Sequence, residues 1–172
     1  GICTKLINRH PHVFNNVDLD MSQFEKTWEE LKRDEKGETS ITSGLKRIPN
    51  HLPALIKAEK IQHKAALIGF DWDDIKDVFE KIEEEYKELL DECKQGNIKY
   101  IKEELGDLLF SIVNLARFLH IDSEEALNLT NQKFINRFEF MEENASKLHK
   151  KLEDLTLDQM EELWQSAKKN KL

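Results

Sequence analysis

The sequence is poor in the residues that most non-helical architectures depend on: six glycines, three prolines and two cysteines occur in 172 residues. Cys3 and Cys93 lie far apart with no Cys-x-x-Cys spacing, which gives no basis for a disulfide framework or a zinc site and fits a reducing cytoplasm. No apolar run approaches the about 18 residues of a membrane-spanning helix, and no charged-then-apolar leader opens the chain, so neither a membrane partner nor secretion is expected. Basic clusters are missing too. The net charge of -8 argues against a broad electrostatic grip on a nucleic acid polymer, although small metal-chelated anions remain compatible with it. The six histidines show no ligand spacing. The chain opens on Gly1, not Met, as a processed or partial chain would.

What is present is a helical pattern. Charged residues make up 35% of the chain, interspersed with 39% hydrophobic residues, which suits a packed core and argues against disorder. The length suits one compact domain, since domains commonly run to roughly 100–200 residues. Apolar positions recur at 3.6-residue spacing with no useful strand-like alternation, predicting an all-α fold. Helices are expected from Ser22 to Glu35, Leu52 to Ile68, Asp74 to Lys94, Ile98 to His120, Asp122 or Ser123 to Lys150 with a break near Asn144, and Thr156 or Asp158 to Lys169. The polar stretch Gly37 to Gly44 reads as a linker, and Phe70 and Trp72 as core or staple residues.

Two neighbouring helices carry the chemistry. The first has an apolar stripe of Val78, Ile82, Leu89 and Cys93 with Glu85 inside it and Glu88 one turn on. The second has Ile101, Leu105, Leu108 and Ile112 as its seam, with Glu104 and Asp107 beside it. Glu88 and Glu104 each lie eight residues from Gly96, and Glu85 and Asp107 each eleven. An antiparallel fold-back at Gly96 would therefore set both pairs at matching heights, about 12–17 Å from the turn at 1.5 Å per residue. Four converging carboxylates repel one another unless cations lie between them, and all-oxygen ligands select hard ions such as magnesium, with manganese as a substitute. Taken singly, each acid also reads as part of a solvated acidic face. The symmetric placement beside apolar seams singles out these four.

The motif Glu85-Tyr-Lys-Glu88, fifteen residues, then Glu104-Leu-Gly-Asp107 resembles the ExxE…ExxD signature of the all-α NTP pyrophosphohydrolases. The strings from Lys60 to Trp72, Glu103 to Leu119 and Asn131 to Phe138 resemble the MazG family, and Arg9 to Phe14 resembles the segment that follows MazG's first repeat. This resemblance implies a four-helix-bundle-like unit that pairs into a tight, intertwined homodimer. It also implies that residues 1–50 are a connecting segment after a missing N-terminal repeat, and that residues 51–172 form the MazG-type domain. Its implied activity is magnesium-dependent conversion of a nucleoside triphosphate to the monophosphate and pyrophosphate.

By the same resemblance Glu85, Glu88, Glu104 and Asp107 are catalytic magnesium ligands, and Lys133, Arg137 and Trp164 hold the nucleotide, with Lys81 and Glu103 as accessory residues. Chemistry supports part of this independently. Lys133 and Arg137 are i and i+4 on one helix face, suited to a polyphosphate, though surface cations on a charged helix share that pattern. Trp164 reads equally as a base-stacking or a packing residue. Some relatives have a basic residue at the position of Tyr100, for which Lys102 is a substitute, and Asn114 reads either as a metal-site neighbour or as a satisfied core amide. The alternatives to a general pyrophosphohydrolase are a specialised dUTPase, dCTPase or phosphoribosyl-ATP pyrophosphohydrolase, or a catalytically silent dimerisation or regulatory module.

Overall fold

The computed structural model describes Cys3 and residues 40–170. Their regular structure is helical throughout, with no strand among the described residues: α1 (Ile41–Lys46), α2 (Ala54–Ala66), α3 (Ile75–Gln95), α4 (Ile98–Phe118), α5 (Ser123–Lys147), a 3-10 turn (Leu152–Asp154) and α6 (Leu157–Lys169). No helix among them is long and apolar enough to cross a membrane. The helix expected from Ser22 to Glu35 lies outside the described residues.

Local chemistry sets the helix ends. Asp74, Asn97 and Asp122 cap α3, α4 and α5, each side-chain oxygen accepting from a backbone N–H of the first turn at 2.8, 3.2 and 2.9 Å. Thr156 and Gln159 exchange reciprocal bonds at the start of α6. Gly96 ends α3 in the left-handed region (φ 75°), which a side chain would strain, and so allows α4 to begin at once.

Two of the expected helix limits differ. The stretch read as a linker runs into α1, because Ser40 and Ser43 form a capping box that starts a helix where composition suggested none. The long helix is not broken near Asn144, whose side-chain amide donates to the Phe140 carbonyl at 2.7 Å while the helix continues to Lys147.

The chain divides into two compact units, Gly1–His120 and Ile121–Leu172. In the described part of the first, α4 packs against both α3 and α2. Val78 and Val113 are its deepest side chains, each contributing about 1.5–3 kcal/mol by burial. Gln62 of α2 donates to the Phe110 carbonyl of α4 at 2.8 Å. In the second unit α5 packs against α6 and the 3-10 turn, around Met141, Ala145, Leu155 and Ala167.

The seam expected on α4 is only partly right. Ile101 and Leu108 are half-buried, but Leu105 and Ile112 are each 46% exposed, together with Leu109. They form a further stripe that packing on α2 and α3 leaves about half exposed. Phe79, Tyr86 and Leu90 are likewise exposed on α3. Phe70 and Trp72 are exposed in the α2–α3 connection, so neither is the core residue their apolar character suggested. That connection is tied down through Asp71, whose carboxylate receives two bonds from the Arg117 guanidinium of α4.

Candidate active site

The α3–α4 hairpin places three of the nominated carboxylates together. Glu85 shares a face of α3 with Val78, two turns earlier, so packing against α4 buries both, and Glu85 is 7% exposed. Glu88 follows on the exposed side of the same face, and Glu104 projects from α4 half-buried. Each of the three offers one carboxylate oxygen within 4.8 Å of the others. Asp107 is exposed and outside this triad, yet close enough for its charge to act on Glu104.

The electrostatics of the triad are those of crowded anions. Glu104 holds its proton above the usual carboxylate range, first because packing removes water from it, then because of the negative charges of Glu88, Asp107, Glu85 and Glu92. Glu85 is balanced from its own helix. The Lys81 ammonium lies 2.8 Å from Glu85 Oε1 and 3.1 Å from Glu84 Oε2, and these two bonds, that to Glu85 first, raise the lysine's proton affinity well above normal.

Glu92 was not singled out in the sequence, where it reads as one more acid of a solvated face. Its Oε1 accepts from Gln95 at 3.2 Å, while its Oε2 is buried without a hydrogen bond from the described residues. The spacing of Glu92 from Glu85 and Glu88, at i+7 and i+4, is the signal that could have placed it on their face. A buried, unbonded carboxylate oxygen beside three crowded carboxylates fits a site built for a cation, and the all-oxygen donor set fits magnesium or manganese.

Glu103 is exposed with Lys99 at 3.9 Å, an ordinary surface pair. The Asn114 side-chain oxygen accepts from Arg117 at 3.1 and 2.8 Å, which commits it to the Asp71 clamp. Lys133, Arg137 and Trp164 belong to the second unit. Arg137 lies over the Trp164 ring at 5.1 Å from its centroid, and the same ring meets Phe134 at 5.1 Å and Phe138 at 6.1 Å. Lys133 stands one turn away from Arg137, exposed. Trp164 thus has aromatic and cationic neighbours within its own unit.

The family model described as "MazG nucleotide pyrophosphohydrolase domain" matches residues 74–141. A Thermotoga maritima protein named "Nucleoside triphosphate pyrophosphohydrolase/pyrophosphatase MazG" is 46% identical over 95% of this chain and 62% of its own length. The Escherichia coli K12 protein named "Nucleoside triphosphate pyrophosphohydrolase" is 39% identical over 100% of this chain and 66% of its own length. The chain belongs to the MazG family. The matched MazG stretch begins at Asp74, the cap of α3, contains the whole hairpin with Lys133 and Arg137, and ends before Trp164. The chain spans about 62% and 66% of the length of those two relatives. It also resembles the "Uncharacterized protein YabN" of Bacillus subtilis, at 45% identity over 98% of this chain and 35% of that protein.

Proposed function

We propose that this MazG chain hydrolyses a nucleoside triphosphate to the monophosphate and pyrophosphate with magnesium. The observation that carries this reading is the Glu85, Glu88 and Glu104 triad, lodged in a helical hairpin that lies within the stretch matched to MazG. These three carboxylates, with Asp107, would hold the metal, for which manganese would substitute. When bound, the metal would neutralise charge on the triphosphate and on the departing pyrophosphate and lower the pKa of the attacking water. Glu85 or Glu88 would orient that water or accept its proton. Lys133 and Arg137 would neutralise the phosphates, with Lys81, Glu103 and Trp164 contributing to the nucleotide pocket. Residues 51–172 would act as one catalytic domain after a connecting segment. The free, exposed Cys3 and Cys93 are in keeping with a reducing cytoplasm.

A turnover screen of the chain across NTPs and dNTPs, with magnesium and with the metal stripped, tests the reading. Monophosphate should form from at least one triphosphate and only with metal. No turnover of any triphosphate at any magnesium concentration would favour the silent module.

Lys133→Ala and Arg137→Ala should each weaken triphosphate binding about tenfold, the scale of one hydrogen bond to a charged group. Stability should fall by less than about 1 kcal/mol, since Lys133 is exposed and Arg137 contributes a cation–π contact. Unchanged KM in both variants returns these residues to ordinary surface cations.

The exposed stripes on α3 and α4 support an obligate homodimer, because uncovered apolar faces on both helices of a catalytic hairpin are costly in water. Light scattering at micromolar concentration should give twice the chain mass. A folded, active monomer there would rule this arrangement out.

A further inference from the structure

The hairpin supplies its carboxylates with a cation of its own. Lys81 stands one turn before Glu85 on α3, with its ammonium 2.8 Å from Glu85 Oε1 and 3.1 Å from Glu84 Oε2. Of the three carboxylates in the triad, Glu85 is the buried one, so it has the greatest need of a compensating charge. The second holder is weak, because the Glu84 side chain is 55% exposed and its pair with Lys81 is screened by water. Lys81 itself is 36% exposed at the side chain and stands on a flexible four-carbon stem, so the ammonium can move without disturbing the helix. A divalent ion ligated by Glu85 and an ammonium bonded to Glu85 compete for one anion, and two cations that close repel each other.

We infer that Lys81 is a resident counter-ion: it compensates Glu85 until a divalent cation takes that carboxylate, and the released ammonium then pairs with the phosphates of the nucleotide. This rests on the reading of the triad as a metal site and adds to it a coupling between metal and nucleotide. Lys81 opposes the metal when it binds alone. It favours the metal–nucleotide complex, because the displaced charge finds a new partner there. The two effects have opposite signs, which an ion pair that merely stabilises α3 would not produce.

The test is manganese binding to the full chain, followed by loss of the free-ion paramagnetic signal, for the unsubstituted protein, Lys81→Gln, Lys81→Met and Lys81→Arg, with folding checked by circular dichroism. Both neutral variants should bind manganese about fivefold or more tightly than the unsubstituted chain, the lower end of ordinary coupling between sites. At saturating manganese the same variants should bind α,β-methylene adenosine triphosphate about fivefold or more weakly. Lys81→Arg, which keeps the charge, should follow the unsubstituted chain in both. If the unsubstituted chain binds no manganese, the metal reading fails and the exchange falls with it. If it binds manganese and the folded neutral variants bind it equally or more weakly, the exchange is overturned while the metal site stands. Two neutral replacements of different shape are used so that one misfolded variant does not decide the matter.

Discussion

Glu104→Gln should reduce pyrophosphate release at least about a hundredfold, the scale on which loss of one charge-stabilising group lowers an enzymatic rate. Glutamine keeps the shape and one oxygen, so α4 should remain helical and the hairpin intact. What changes is the charge of one triad member that lies within 4.8 Å of two others. A solvated acidic face predicts no such loss. Turnover within a few-fold of the unsubstituted chain would remove Glu104 from the reaction.

Magnesium should stabilise the protein by about 2.7 kcal/mol at a hundredfold excess over its Kd, because an ion bound by the native state and not by the unfolded chain adds RT ln(1 + [L]/Kd). For a chain of this size that raises Tm by roughly 5–10 °C. In the absence of metal the crowding of charge at Glu104 acts in the opposite direction. The Glu104 carboxyl holds its proton above the ordinary carboxylate range, so the contribution is complete below the unfolded value and is lost as pH rises through the raised folded value. The metal-free Glu104→Gln protein cannot acquire that charge. Near neutral pH it should be as stable as the unsubstituted chain or slightly more so, while gaining less from magnesium. Thermal melts with and without magnesium at several pH values check both statements, and identical magnesium responses in the two proteins would contradict them.

The parts of the fold that were legible in the sequence are those that local chemistry decides. Asp74, Gly96 and Asn97 each act within one turn of their own position, so both ends of α3 and the start of α4 could be placed to within a residue or two from residue type, whereas α4 stops at Phe118, short of the expected His120. Glu85 was legible because a carboxylate in an apolar stripe demands compensation. Ser40 and Ser43 are also a local signal, but the surrounding polar residues concealed it.

What was not legible depends on which surfaces meet. Periodicity gives Leu105, Leu109 and Ile112 an apolar face but does not say whether that face meets the same chain, and in the structure packing on α2 and α3 leaves it about half exposed. Phe70 and Trp72 look like core residues until Asp71 is seen fastened to Arg117 with the aromatic rings left exposed. Glu92 was hidden among acids of the same type, and only the burial of one of its oxygens distinguishes it. Asp107 matched the counting symmetry around Gly96, and it lies outside the triad while its charge still acts on Glu104.

The most direct measurement is calorimetric titration of magnesium into the metal-stripped chain and into a variant combining Glu85→Gln, Glu88→Gln and Glu104→Gln, both shown to be folded. Saturable binding to the first and none to the second is expected. Equal binding by both proteins, or no binding by the unsubstituted chain, would rule out a metal site at these carboxylates.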